Sequence, residues 1–210
     1  MNDYQKRLFD IFASWRPRPS YATYPPYHSG PYLEDYFLDR FATDAPATQR
    51  YLIPVSWTTC YVEGKTNRLQ EALLRLDQSQ KYFTVAQHDD AIREKLPPDT
   101  IMFNAGGNGG GVPIPLICSP LPKPPPLERD IFCSFVGSMT HHLRQAIYNT
   151  LHQNNKYYFF CKPWTNSIPQ HELSHFQTIT SRSVFALAPR GYGRSSFRLY
   201  EAMQLGAIPV

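Results

Sequence analysis

The spacing of apolar and polar positions predicts two sets of alternating strands and helices, one on each side of a segment rich in glycine and proline. Such alternation is typical of parallel sheets covered by helices. On the N-terminal side it predicts helices near 3–14, 31–42, 67–77 and 89–96, and strands near 51–57, 81–87 and 100–104. On the C-terminal side it predicts strands at 131–136 and 157–161, and helices at 141–154 and 170–180.

The last stretch of the chain, "FALAPRGYGRSSFRLYEAMQLGAIPV" at 185–210, predicts a strand, a loop, a helix and a second strand. Proline and glycine between Pro189 and Gly193 end the first apolar run. Ser195 or Ser196 suits the N-cap of the helix, and Gly206 suits the position just beyond its C-terminus. A helix face able to pack on a sheet is predicted from residues at helical spacing: Leu199, Ala202, Met203 and Gly206.

The start of this last helix is a candidate anion site. Ser195, Arg198 and Glu201 share another face near the helix N-terminus, where free N–H groups and the helix dipole favour anions. Arg190 and Arg194 add two guanidinium groups, which suit phosphate. Glu201, one turn deeper, can accept hydrogen bonds from a ribose. The alternative is an amphipathic helix in which Arg198 and Glu201 only pair with each other.

A second candidate lies in "FVGS" at 135–138, where a strand is predicted to turn into a helix. The backbone amides of Gly137 and Ser138 can approach a diphosphate there, and Arg144 lies in the early turns of the helix. The alternative is a plain turn followed by a solvated arginine.

His88, Asp89 and Asp90 end the predicted strand at 81–87. A carboxylate at this place can remove the proton from an attacking hydroxyl, directly or through the histidine. The alternative is that one aspartate caps the predicted helix at 89–96. No third ligand at a suitable spacing accompanies them, so no metal site is predicted.

The stretch at 185–210 resembles the signature of exostosin-like glycosyltransferases, glycosyltransferase family 47. The matching residues are Pro189, Arg190, Gly191, Ser196, Phe197, Arg198, Glu201, Gly206 and Pro209. Weaker likenesses occur upstream in "YPPYHSGPYLEDYFLDRF", "YLIPVSW", "KYFTVAQHDD", "VPIPLI" and "IFCSFVGSMTHHLRQAI". The resemblance implies an α/β fold of the GT-B kind, with two Rossmann-like domains facing a cleft.

The same resemblance implies an inverting glycosyltransferase, a hexosyl- or pentosyltransferase that needs no metal ion or other cofactor. The donor is expected to be a nucleoside-diphosphate sugar linked to uridine, and the acceptor a hydroxyl of a glycan. Arg190, Arg194 and Arg198 would carry the charge of the leaving group, and Glu201 would hold the ribose. Asp89 is the preferred general base.

The glycines at 106–111 and the prolines between Pro113 and Pro126 predict a flexible loop and a semi-rigid spacer. We therefore expect an acceptor-side domain at 1–112, a linker at 113–129 and a donor domain at 130–210. Members of the family continue beyond the "IPV" that ends this sequence. A fragment, or a donor domain without its last layer, is therefore expected.

Composition bounds the remaining possibilities. Lys and Arg number 21 against 17 Asp and Glu, and this excess of +4 is too small to demand nucleic acid. No apolar run has the length of a signal peptide or a membrane anchor, so a cytoplasmic protein with four free thiols is expected. Two alternatives from other classes remain: a non-catalytic carbohydrate-binding protein using the rings of "YATYPPY" and Trp57, and a nucleic-acid-binding protein.

Overall fold

The computed structural model describes residues 1–18, 32–122, 127–165 and 168–210. These residues form two units that divide between Ile117 and Cys118, and each unit has its own four-stranded sheet. Every strand pairing in both sheets is parallel, which confirms the predicted α/β class. The segment "YATYPPY" and residues 123–126 of the predicted linker lie outside the described residues.

Unit 1, residues 1–117, carries the sheet β1-β2-β3-β4. Its strands are β1 (Tyr51–Leu52), β2 (Tyr82–Ala86), β3 (Ile101–Asn104) and β4 (Val112–Pro113). Its helices are α1 (Asp3–Ile11), α2 (Leu33–Thr43), α3 (Trp57–Val62) and α4 (Leu69–Leu74), and a short 3₁₀ helix follows α1 at Ala13–Trp15.

Apolar side chains cover both faces of the unit 1 sheet, because neighbouring residues of a strand face opposite ways. Leu52 and Phe83 pack with Phe41 of α2 in one cluster. Ile53 and Tyr82 pack in another cluster, on the side of α1, α3 and α4. Strand β2 is buried along its whole length, so its carboxyl end is held firmly where the candidate residues follow.

Two predictions for unit 1 are wrong. The helix expected at 89–96 does not form, because Ala91 has φ +57°, which is left-handed and breaks a right-handed helix. Neither aspartate therefore caps a helix there. The strand expected at 51–57 ends at Leu52, and Trp57 begins α3, where its indole is fully buried and donates to Thr84 Oγ1 at 2.8 Å.

Unit 2, residues 118–210 among those described, carries the sheet β6-β5-β7-β8. Its strands are β5 (Ile131–Ser138), β6 (Tyr157–Lys162), β7 (Ser183–Ala186) and β8 (Ile208–Pro209). Its helices are α5 (His142–Leu151), α6 (Gln170–Arg182) and α7 (Phe197–Gln204). Strand, loop, helix and strand thus follow each other in the final stretch as the sequence predicts.

The core of unit 2 also has two sides. Cys133 and Phe135 of β5 pack in a cluster with side chains of α5 and β6, while Val136 packs with Phe176 of α6 and Leu205. The predicted apolar face of α7 is wrong in part. Leu199 and Met203 are 39% and 52% exposed. The helix instead buries Glu201, Ala202 and the following Leu205, because the charge of Glu201 is paired, as described below.

No helix within the described ranges is long and apolar enough to cross a membrane. The cysteines, all of which fall in those ranges, are free thiols, as expected. Burial raises the pKa of the Cys60 and Cys118 thiols to about 12 and that of Cys133 to about 11. These thiols are therefore uncharged at neutral pH.

Candidate functional site

Residues 189–196, here called the arginine loop, leave the carboxyl end of β7 and lead into α7. Ligands of parallel α/β sheets bind at this edge. Arg194 is exposed and Arg190 is half-buried, with Nη2 donating to the Tyr192 carbonyl oxygen at 3.0 Å. Ser196 is the N-cap residue of α7, as predicted, and Ser195 directly precedes it. Two predicted guanidinium groups and the N-terminus of a helix therefore belong to one loop.

Arg144 of α5 ties the arginine loop to the end of β5. Its guanidinium donates to the carbonyl oxygens of Ser138 at 2.7 Å, Arg190 at 2.9 Å and Pro189 at 3.0 Å. Gly191 passes so close that a Cβ there would lie 3.1 Å from both Arg144 Nη2 and Thr140 Oγ1. The alternative of a solvated arginine is wrong. This side chain positions the loop through backbone carbonyls.

Gly137 and Ser138 lie within β5, opposite Cys161 and Lys162 of β6. The strand therefore extends through the residues that the sequence predicts to form a turn. The turn comes at Met139–His141, and His141 Nδ1 caps α5 by accepting from the Leu143 amide at 3.2 Å.

Arg198 and Glu201 pair with each other, Nη1 to Oε2, at 2.9 Å. The Arg198 guanidinium also lies 3.8 Å above the ring of Phe176 in α6. Only 24% of the Arg198 side chain and 6% of the Glu201 side chain are exposed. Further along α7, Gln204 accepts from the Leu121 amide and donates to the Ser119 carbonyl oxygen. The pairing alternative raised from the sequence is therefore present in the structure.

A cavity of about 400 Å³ opens beside the arginine loop. It lies at the carboxyl ends of β5 and β6, and Tyr192 of the loop forms one wall. Its lining consists of Met139, Thr140, Cys161, Lys162, Pro163, Trp164 and Tyr192. Nothing in the sequence pattern indicated this cavity.

In unit 1, His88, Asp89 and Asp90 form a turn just after β2, here called the HDD turn. Both aspartates are exposed, while His88 is half-buried with its ring 4.9 Å from that of Tyr61. Burial lowers the pKa of His88. Its Nδ1 accepts from the Asp90 amide at 3.3 Å, which places the proton of the neutral ring on Nε2.

The glycine run holds the HDD turn closely. A Cβ on Gly106 would overlap the carbonyl oxygen of His88, and one on Gly109 would lie 2.5 Å from the Ala91 side chain. Asn104 Oδ1 accepts from the amides of Gly106 and Gly107 at 2.9 and 3.1 Å. The glycine run forms a loop, as expected, and its glycines also allow close backbone packing against the HDD turn.

Two buried acids in the first turn of α2 are not among the candidate residues expected from the sequence. Glu34 Oε1 accepts from the Thr58 amide at 3.1 Å, from Thr58 Oγ1 at 2.7 Å and from the Gln87 amide at 2.9 Å. Asp35 Oδ1 accepts from Ser56 Oγ at 2.6 Å. These bonds join the segments that follow β1 and β2. Glu34 therefore fixes the backbone directly before His88.

Glu34 and Asp35 are 1% and 3% exposed. Burial raises the pKa of both carboxyl groups, against the opposing effect of their hydrogen bonds. Within the described ranges, Glu34 Oε2 and Asp35 Oδ2 have no hydrogen-bond partner. A signal was present in the sequence, since Glu34 lies four and seven residues before the apolar Leu38 and Phe41 and so shares their helix face.

Comparison with known proteins bears most directly on unit 2. The model of the exostosin GT47 domain matches residues 102–210, more than half of the chain. The match includes every candidate donor residue and excludes the HDD turn. A probable glucuronosyltransferase of rice, Oryza sativa subsp. japonica, is 31% identical over an alignment of 108 residues, and the match covers 46% of this chain and 23% of that protein. The chain thus spans well under half the length of this relative.

The family match agrees with the strand, loop and helix arrangement around the arginine loop. It also agrees with the run of residues from Pro189 to Pro209 on which the resemblance was based. The chain belongs to the exostosin family of glycosyltransferases, family 47.

Proposed function

We propose that this chain is an inverting glycosyltransferase that moves a hexosyl or pentosyl group from a UDP-sugar to a hydroxyl of a glycan. The acceptor oxygen attacks the anomeric carbon, the bond from that carbon to the diphosphate breaks, and a base takes the hydroxyl proton. We further propose a GT-B arrangement, with unit 2 on the donor side. Family membership supports the reaction class.

The observation that carries this proposal is the arginine loop with its support. Arg190 and Arg194 stand at the carboxyl end of β7 beside the N-terminus of α7, where a departing diphosphate would gain most from fixed positive charge. Arg144 holds the loop backbone, so these groups need little rearrangement to meet the ligand. In this proposal fixed cationic side chains stabilise the leaving group.

We assign the Arg198–Glu201 pair a positioning part. With 6% of its side chain exposed, Glu201 is poorly placed to hold a ribose while Arg198 is bound to it. The pair instead joins α7 to Phe176 of α6. This differs from the roles expected by resemblance, in which Arg198 contacts phosphate and Glu201 the ribose.

For the base we propose Asp89 of the HDD turn. It is exposed and follows a strand whose end is fixed by Glu34 and the glycine run. His88 with its proton on Nε2 is a donor at that atom, so it suits orienting a hydroxyl better than deprotonating it.

A non-catalytic carbohydrate-binding protein is the second candidate, favoured by the exposed rings of Trp164 and Tyr192. A protein of this kind would bind a glycan and ignore a free nucleoside diphosphate. A nucleic-acid-binding protein would bind oligonucleotides more tightly than UDP, with a steep dependence on salt.

The donor assignment predicts that Arg194→Ala weakens binding of UDP by about ten- to a hundredfold, the usual loss for a charged hydrogen bond. The fold should be unaffected because Arg194 is exposed. Isothermal titration with UDP measures the effect, and Arg75→Ala serves as the control, since that side chain is 82% exposed at the C-cap of α4. An equal Kd in wild type and Arg194→Ala would contradict the assignment.

The base assignment predicts that Asp89→Asn lowers turnover by about two to four orders of magnitude while UDP affinity is retained. The exchange keeps the size of an exposed side chain, so a loss of folding is not expected. Initial rates with a fixed donor and acceptor measure it, with Asp90→Asn as the matched control. Wild-type turnover in Asp89→Asn would show that another residue is the general base.

A further inference from the structure

Tyr61, near the C-terminal end of α3, packs against the HDD turn. Its ring centroid lies 4.9 Å from that of His88, and the two planes meet at 70°. Edge-to-face contacts of this kind are a preferred arrangement of aromatic rings. The Tyr61 ring also lies 6.4 Å from the fully buried indole of Trp57, one turn earlier in α3. The imidazole of His88 is therefore held against a ring that packs on the core of unit 1.

The hydroxyl of Tyr61 holds the chain just after the HDD turn. It accepts from the Arg93 amide at 2.9 Å and donates to Glu94 Oε2. The Arg93 guanidinium lies 5.0 Å from the centre of the Tyr61 ring, a distance typical of a cation–π contact. Burial and the bond to Glu94 raise the pKa of Tyr61, so the hydroxyl stays protonated at neutral pH and keeps both bonds.

The HDD turn is thus held on both sides. Before it, the Gln87 amide donates to Glu34, and after it, the Arg93 amide donates to Tyr61. Between these two points the backbone of Ala91 is left-handed, a conformation that such a residue keeps only when its surroundings enforce it. Precise support matters for a general base, since a displacement of about 1 Å can cost about a hundredfold in rate.

We propose that Tyr61 is a positioning residue that acts through the HDD turn on Asp89, the general base of the function proposed above, on which this inference rests. Its ring fixes the imidazole of His88, and its hydroxyl fixes residues 93–94. Tyr61 itself is not suited to take the acceptor proton, because its hydroxyl is protonated and already engaged with two partners. Its effect on the reaction therefore passes through the turn.

The test compares Tyr61→Phe with a matched control, Tyr82→Phe. Tyr61→Phe keeps the ring on His88 and removes both hydroxyl bonds. In the control the lost hydroxyl also makes two bonds, one shared with the Tyr4 hydroxyl and one donated to the Asp77 carbonyl oxygen. Tyr82 begins β2, so these bonds lie at the opposite end of the strand from the HDD turn.

We expect Tyr61→Phe to lower kcat by about ten- to a hundredfold and to leave the Kd of UDP unchanged, because the proposed donor residues all belong to unit 2. Tyr82→Phe should keep the kcat of wild type. Tyr61→Leu removes the ring as well and should lower kcat further. The rate is the release of UDP from the UDP-sugar and acceptor glycan used for Asp89→Asn, and titration with UDP gives the Kd.

A double-variant cycle shows whether Tyr61 acts through Asp89. Once the base is absent, the position of that side chain no longer affects the rate. Tyr61→Phe combined with Asp89→Asn should therefore turn over as slowly as Asp89→Asn alone. Losses that multiply in the double variant would overturn the proposal, because Tyr61 would then act on the rate independently of the base.

Hydrogen exchange gives a readout that needs no substrate. The Asn108 amide donates to the Asp89 carbonyl oxygen at 3.1 Å, and the Ile53 amide donates to the Phe83 carbonyl oxygen at 2.9 Å. Tyr61→Phe should speed exchange of the Asn108 amide by about two- to tenfold, the change that loss of one hydrogen bond produces, and leave Ile53 unchanged. Unchanged exchange at Asn108 would contradict a looser turn.

Failure of this role of Tyr61 can be told from failure of the proposed function. If the wild-type chain releases no UDP from a UDP-sugar and a glycan, the function fails and the role fails with it. If Asp89→Asn is impaired but Tyr61→Phe turns over as Tyr82→Phe does, only the role of Tyr61 is overturned. Equal losses in Tyr61→Phe and Tyr82→Phe would also overturn it, because any lost hydroxyl bond in unit 1 would then have the same effect.

Discussion

Glu34 in unit 1 and Glu201 in unit 2 are both almost fully buried helical carboxyl groups, yet different partners hold them. Glu34 accepts hydrogen bonds from two backbone amides and one hydroxyl, all uncharged donors. Glu201 is paired with the guanidinium of Arg198. The first carboxylate joins two backbone segments, and the second is paired within its own helix to a guanidinium that lies over Phe176 of α6.

The difference shows what each site tolerates. An acceptor held by neutral donors keeps its bonds when its charge is removed, because an amide oxygen accepts from the same groups. A carboxylate held by a cation becomes an uncompensated buried charge when that cation is lost. Removing the charge should therefore change stability little at Glu34, whereas removing the partner cation should lower stability strongly at Glu201.

The largest effect is expected for Arg198→Ala. It leaves Glu201 buried without its cation, which should lower the free energy of unfolding by about 3–5 kcal/mol. A change of this size lowers Tm by about 6–20 °C for a protein of this length. Thermal unfolding measures the loss.

The control for this prediction is the double variant Arg198→Met, Glu201→Gln. Removing both charges should restore most of the stability lost in Arg198→Ala, because no uncompensated carboxylate remains. A double variant as unstable as Arg198→Ala would show that the loss comes from packing on Phe176.

Glu34→Ala should have the next largest effect, lowering the free energy of unfolding by about 2–3 kcal/mol. It leaves the amides of Thr58 and Gln87 buried without their acceptor. Urea unfolding measures the change. Phe37→Ala, on the same helix but in apolar surroundings, is the control that separates lost packing from lost hydrogen bonds. The protection of the Gln87 amide against hydrogen exchange should be lost only in Glu34→Ala.

The smallest effect is expected for Glu34→Gln, within about 1 kcal/mol of wild type in mild acid. The raised pKa of Glu34 means that the folded state holds this proton more tightly than the unfolded state does. The stability from that proton is present at low pH and is lost as pH rises toward the folded pKa. Glutamine does not titrate, so the variant should gain on wild type as pH rises.

Unfolding curves at about pH 5 and about pH 8 measure this gain. Asp35, whose pKa burial also raises, is unchanged in both proteins and serves as an internal reference. A difference between Glu34→Gln and wild type that stays constant with pH would show that Glu34 keeps one protonation state throughout.

The spacing of apolar residues predicted those strands and helices whose formation depends mainly on residues close together in the chain. The strands β2, β5 and β6 and the helices α5 and α6 occur close to their expected bounds, because period-two and helical spacings report burial directly. The N-cap and the left-handed Gly206 of the last helix were also predictable, since few residue types suit those positions.

Contacts between residues far apart in the chain determine the features that the sequence did not predict. The helix expected at 89–96 is lost because the HDD turn packs against glycines that lie some fifteen or more residues later in the chain. The donors of Glu34 come from α3 and from the residue after β2, so the pattern of α2 could indicate the burial of Glu34 but not its hydrogen-bond partners. The cavity beside Tyr192 likewise depends on three strand ends meeting.

Arg144 has a consequence for the thermodynamics of ligand binding. Three of its N–H groups hold the end of β5 and the start of the arginine loop before any ligand arrives. A loop already fixed in this way loses little conformational entropy when a nucleotide binds, so more of the contact energy is retained as affinity. Association of a nucleotide should also follow a single exponential phase whose rate is limited by diffusional encounter, because no slow ordering of the loop has to precede binding.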